Sequence, residues 1–135
     1  MCGSPAWRYV YHTIHSADKW FINPFIYSEP EFHIDGMDNP DNRCDLVLSD
    51  TQLLEYLDRV KCKTLDYIDS LDDNALRENP EGCRYTRIEL ILGQFRHINH
   101  HIGMLNGQTV ERTGRFPLFC GLTGTKRLKN GLYDE

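Results

Sequence analysis

The stretch Thr86 to Gln108, TRIELILGQFRHINHHIGMLNGQ, constrains the fold more than any other part of the chain. Thr86 and Glu89 have capping-box spacing, so a helix should open there. Ile88, Leu92, Phe95, Ile98, Ile102 and Leu105 then recur at three and four, the period of a helix that buries one side. Asn106-Gly107 is the expected stop. His97 and His101 sit beside the apolar stripe. A helix turns roughly 100° per residue, so residues four apart differ by about 40° and their imidazoles can meet at one point. His100 lies about 60° round the other side of His97 and is read as an outer contact, a partner-facing residue or a solvated one.

Two other segments have helical pattern. Ser4-Pro5 suits a helix opening, with Ser at the cap and Pro in the first turn. Trp7, Val10, Tyr11 and Ile14 share a face, and the helix should end near Phe21 or Ile22, ahead of Asn23-Pro24. It carries His12 and His15. The second helix in chain order runs from Ser49 to about Ser70, with Ser49 and Gln52 in capping-box spacing. Leu53, Leu54, Leu57, Val60, Leu65, Ile68 and Leu71 give it a broad apolar face. Its role is packing.

Residues 23–48, with Pro24, Pro30, Gly36 and Pro40, read as a long irregular connection. Loops of that length are uncommon without a function or a contact to hold them. Phe25, Ile26, Tyr27 and Phe32 are the residues expected to pack it down. His33 is read as solvent-facing, with a site lid as its alternative role. Residues 72–84 read as a polar loop with a short turn. Beyond Gly107 no long helix is expected, and Phe116, Leu118, Phe119 and Leu122 are candidates to tuck the tail against the bundle.

The pattern as a whole predicts one all-α domain over residues 1–135, a helical bundle without a strand set. A net charge of −5 argues against a nucleic-acid groove, since phosphate neutralisation needs clustered Lys and Arg. The one basic cluster is Lys126, Arg127 and Lys129. Mean hydropathy is −0.53 and no eighteen-residue apolar run exists, so no membrane span is expected. The opening residues lack the basic-then-apolar pattern of a secretion signal. The five cysteines, Cys2, Cys44, Cys62, Cys83 and Cys120, are odd in number and widely spaced, with no CxxC pair. They read as reduced thiols in a cytoplasmic protein rather than a disulfide frame or thiolate zinc knuckle.

The histidines carry the chemistry. Neutral imidazoles suit zinc or nickel, and three of them leave a coordination position for water or substrate. His97 and His101 would supply two ligands and His12 the third, with His15 as runner-up because the sequence does not set the rotation of its helix. The bland alternative is a polar histidine cluster with ordinary hydrogen bonds. A His–Cys nucleophile pair is weaker, because no cysteine has a spacing link to a histidine.

Two segments together resemble a known family. FRHINHHIGMLNG is similar to the signature helix of the DinB-like (DNA-damage-inducible) superfamily, also called YfiT-like metalloenzymes. WRYVYHTIHSADKWF resembles that family's earlier helix, which bears a single ligand histidine. LLEYLDRVKCKTLDYI fits the segment between them. The resemblance covers roughly Pro5 to Gln108. It implies a four-helix-type bundle, here lacking the helix that usually precedes the first histidine. It also implies a divalent metal, zinc or nickel, on His12, His97 and His101, and a homodimer. The activity implied is a thiol-dependent transferase or isomerase acting on a small molecule with a low-molecular-weight thiol. Hydrolysis is the chemistry an open metal position offers by itself. Asp18, Asn99 and His100 are the candidates for orienting the ligand rings, and no general base stands out. Against the enzyme stands a non-catalytic helical module with a vestigial or structural metal site. An open coordination position facing a concave pocket separates the two.

Overall fold

The computed structural model describes residues 3–117. Its elements are α1 (Ala6–Trp20), α2 (Asp50–Asp69), a single 3-10 turn (Ala75–Arg77) and α3 (Arg87–Thr113). These make an all-α, three-helix bundle, with no strand among the described residues. Contacts divide the described residues into two units, with the division between His101 and Ile102.

The expected capping boxes set the starts of α2 and α3. Ser49 accepts from the Gln52 amide, and Gln52 Oε1 accepts from the Ser49 amide at 2.9 Å. Glu89 Oε2 likewise accepts from the Thr86 amide at 2.7 Å. Each box satisfies amides that the first turn leaves orphaned. α1 starts differently from the sequence expectation. Pro5 is its N-cap, and Ser4 donates instead to the carbonyl of Pro40.

Four further expectations are corrected. First, α3 does not stop at Asn106-Gly107 but continues to Thr113. No proline intervenes, and the stop comes at Gly114, whose φ of 69° suits glycine and whose amide donates to Val110. Second, the apolar stripe of α3 is not its buried side. Leu92 is 57% and Phe95 64% exposed, whereas Leu90, Gln94 and His101 are buried. These three also follow a helical period, with His97 and Ile98 between them, so a second, mixed face is the one turned inward. Third, α2 buries only Leu53, Tyr56 and Val60, leaving Leu54, Leu57, Leu65 and Ile68 exposed. Fourth, Phe116 is exposed rather than tucked in. Leu118, Phe119, Leu122, the Lys126–Lys129 cluster, Cys2 and Cys120 lie outside the described residues.

α1 and α2 pack closely, and their core joins Tyr11, Ile14 and Ala17 to Leu53, Tyr56 and Val60. The connection between them closes that core from one side. Met37 and Leu48 are buried in it, and Phe32 and Cys44 pack against it. Burying a side chain such as Met37 is worth about 1.5–3 kcal/mol, which helps offset the entropy of ordering so long a loop. Phe25 and Ile26 take no part, being 61% and 72% exposed. The loop is also tied by polar contacts. The buried Arg8 guanidinium donates to the carbonyls of Asn39, at 2.5 Å, and Gly36, at 3.4 Å. Asp18 accepts from Tyr27 and Tyr56 through one oxygen and pairs with Lys63 at 2.6 Å through the other.

Candidate metal centre

α1 presents His12 toward α3, and the i, i+4 pair on α3 presents His97 and His101 toward α1. The three Nε2 atoms converge. His12 Nε2 lies 3.2 Å from His97 Nε2, and His101 Nε2 lies 3.0 Å from it. Ring centroids are 4.5–5.1 Å apart across the three pairs, with rings nearly perpendicular. Tyr9 lies against His101 at 6.4 Å between ring centroids.

Tautomers decide what this arrangement means. His12 Nδ1 is 2.6 Å from the carbonyl oxygen of Asp38. A carbonyl only accepts, so that nitrogen carries the proton and a neutral His12 has a bare lone pair at Nε2. His97 Nε2 then faces two neighbours. If it is protonated it donates to His12 and presents N–H to His101. If it is bare it can accept from His101 but meets His12 lone pair to lone pair. With neutral rings only one of the two contacts can be a hydrogen bond. The two α3 rings favour the neutral form. Burial lowers the pKa of His97, with repulsion from His12 and His100 adding to it. Burial, then the same kind of repulsion from His12, His97 and His100, brings His101 to about 4.

A cation at the centre removes the conflict, and the spacing fits one. Bonds of about 2.0–2.1 Å put adjacent nitrogens about 2.9 Å apart at right angles and about 3.3–3.4 Å apart at the tetrahedral angle. The two separations, 3.0 and 3.2 Å, lie between those values. Neutral imidazole is also the protonation state a divalent transition metal needs. His12 has the outer hydrogen bond that usually orients a ligand ring. The Nδ1 atoms of His97 and His101 are buried without a hydrogen-bond partner among the described residues.

The residues expected to orient these rings do other things. Asp18 is engaged by Tyr27, Tyr56 and Lys63, and Asn99 donates to the Phe95 carbonyl of its own helix. His100 is exposed and only its ring approaches His101, at 5.1 Å. The orienting group is instead the backbone carbonyl of Asp38, which no sequence pattern marks. His15, the runner-up ligand, points away to Glu29 at 2.5 Å. His33 is not the solvent-facing residue expected. Its side chain is largely covered, with Nδ1 2.6 Å from the Tyr11 hydroxyl.

Beside His97 opens a cavity of about 490 Å³. Trp20 and Tyr85 give it aromatic walls, Arg96 a cation, and Gln94, which accepts from Ser16 at 3.2 Å, a fixed amide. Among the described residues, no further His, Cys, Asp or Glu joins the three histidines within ligand distance. The described cysteines, Cys44, Cys62 and Cys83, are free thiols, and Cys44 donates to the Leu46 carbonyl. No helix among the described residues is long and apolar enough to cross a membrane.

No family model, curated protein or solved structure matches this chain. The class therefore rests on the fold and the site alone: an all-α helical bundle with a candidate metal-binding cluster of three histidines.

Proposed function

We propose that this chain is a divalent-metal-dependent enzyme of the DinB-like kind, with His12, His97 and His101 as ligands to zinc or nickel. The observation that carries the reading is the set of Nε2 contacts at 3.0 and 3.2 Å that neutral imidazoles cannot all satisfy by hydrogen bonding. Three protein ligands leave a position open, and a cavity lined in part by His97 lies beside the cluster, where a small molecule could bind.

A divalent cation supplies a Lewis acid that lowers the pKa of a coordinated water or thiol. The chain's own groups bind and orient. Asp38 holds His12 in the ligating tautomer. Ser16 fixes the Gln94 amide at the cavity wall, where it can hydrogen-bond a substrate. Arg96 favours a substrate with an anionic group, and Trp20 and Tyr85 favour an apolar or aromatic one. Transfer to or from a low-molecular-weight thiol is the leading reaction class, with hydrolysis second. A homodimer would cover Leu54, Leu57, Leu65 and Ile68 on α2.

Protein purified without an affinity tag should carry a tightly held divalent ion by elemental analysis. His97→Ala should lose it and His33→Ala should keep it. Equal content in wild type and the His97 variant would contradict the assignment. For the reaction class, a low-molecular-weight thiol added to the Co²⁺-loaded protein should produce a thiolate-to-metal charge-transfer band. No spectral change on adding thiol would leave hydrolysis as the reaction class.

A further inference from the structure

We propose that His15, Glu29 and His33 form a second divalent-cation site, separate in its ligands from the three-histidine cluster. The donors come from two elements, α1 and the connection that follows it, and their ligand atoms all lie within 4.8 Å of one another. The carboxylate is divided between two tasks. Oε1 is paired with Lys19 at 3.0 Å, while Oε2 faces both imidazoles, His15 Nε2 at 2.5 Å and His33 Nε2 at 3.9 Å. The two rings are stacked, with centroids 4.8 Å apart and planes 14° from parallel, unlike the edge-on rings of the first cluster. Two imidazoles and one carboxylate are a recurrent donor set for divalent zinc, iron or manganese, and they leave positions open.

The surroundings suit ligation. His15 is buried, and Glu29 is partly exposed, so an ion has a route in. Tyr11 is fully buried and its hydroxyl holds His33 Nδ1, the outer contact that fixes a ligand ring. A hydroxyl can accept as well as donate, so this pairing survives when the proton shifts to Nδ1 on metal binding. His33 lies five residues before Asp38, whose carbonyl orients His12. A cation here would pin the segment that orients the first centre. Lys19 opposes it by charge, so this second ion should be held more loosely and acquired from solution rather than carried through purification.

The test is a Co²⁺ titration of the full chain after chelator treatment, followed by equilibrium dialysis and visible absorption. Wild type should bind two equivalents. Glu29→Gln and His33→Ala should each bind one, and that remaining equivalent shows that the variants are folded. His97→Ala should also bind one, held by this site. Lys19→Met should tighten the second equivalent about tenfold and leave the first alone. Tyr11→Phe should weaken the second about 10–100-fold. One equivalent in wild type, kept in Glu29→Gln and lost in His97→Ala, would overturn this site and leave the proposed enzyme centre standing. One equivalent lost in Glu29→Gln and kept in His97→Ala would do the reverse. No binding at all would overturn both.

Discussion

Two histidines three residues apart on α1, His12 and His15, enter clusters of opposite character. His12 is held at Nδ1 by the Asp38 carbonyl, and its Nε2 faces other imidazoles. With His97 and His101 it makes two nitrogen–nitrogen contacts of which neutral rings can satisfy one. His15 meets a carboxylate, and that carboxylate is also paired with Lys19, so the metal-free state is already well satisfied. The difference separates need from capacity. The first cluster lacks a consistent proton arrangement until something positive sits among the rings. The second has the donors for a cation but is stable without one. Burying polar groups without partners is costly, so the first arrangement is the stronger pointer to a ligand.

The largest expected effect tests that asymmetry by deletion. With metal at 100 times its dissociation constant, the bound ion should add about 2.7 kcal/mol to wild-type stability, and His97→Ala should lose all of it. In metal-free protein the same substitution should cost far less, because it also removes the unsatisfied contact. Thermal unfolding with and without chelator measures both. An equal loss in the two conditions would mean that the ring contacts stabilise the protein by themselves.

Acid should act on both clusters in a stated order. His101 has a folded pKa near 4 against about 6.5 unfolded, and burial lowers His15 too, although its bond to Glu29 works the other way. Between those values the unfolded chain binds protons that the folded rings do not, so stability falls as pH drops through this window. The His101 contribution should be spent by about pH 4. Glu29 behaves differently. Partial burial opposes its ionisation, but the hydrogen bonds from His15 and Lys19 outweigh it and hold the carboxyl below its usual range. Its contribution is present above the ordinary carboxylate pKa and is lost only as pH falls through the lowered one. Denaturant melts of chelator-treated wild type and His101→Gln between pH 7 and 4 should show the shallower slope in the variant. Parallel curves would break the account.

Smaller effects sharpen the second cluster. Tyr11→Phe removes a buried hydroxyl from His33 and should cost about 1 kcal/mol in metal-free protein, while the co-purified ion stays in place. Loss of that ion would show that the two clusters are not separate. Glu29→Gln, at a partly exposed ion pair, should change metal-free stability by less than about 1 kcal/mol.

What could be read in the sequence was what short-range geometry dictates. The starts of α2 and α3 were legible because Ser49 with Gln52 and Thr86 with Glu89 are complete local devices. The convergence of His97 with His101 was legible because four residues on a helix fix it. The stop of α3 was misjudged because Asn-Gly is only a weak breaker when helix-compatible residues follow, and the true stop, Gly114, lies seven residues on. The buried side of α3 was misjudged for a different reason. Periodicity marks an apolar stripe but does not say which side a neighbouring helix will approach, and α1 meets the side bearing Gln94, His97 and His101. The loop contributions were not legible at all. Asp38 acts through its backbone carbonyl, and Glu29 and His33 depend on how a 29-residue connection folds back on α1.

The most direct test of the central claim is anomalous diffraction at the absorption edge of the co-purified metal. One strong peak is expected, bonded to Nε2 of His12, His97 and His101 at about 2.0–2.1 Å. No peak at that position, with the three rings settled into ordinary hydrogen-bonded pairs, would contradict it.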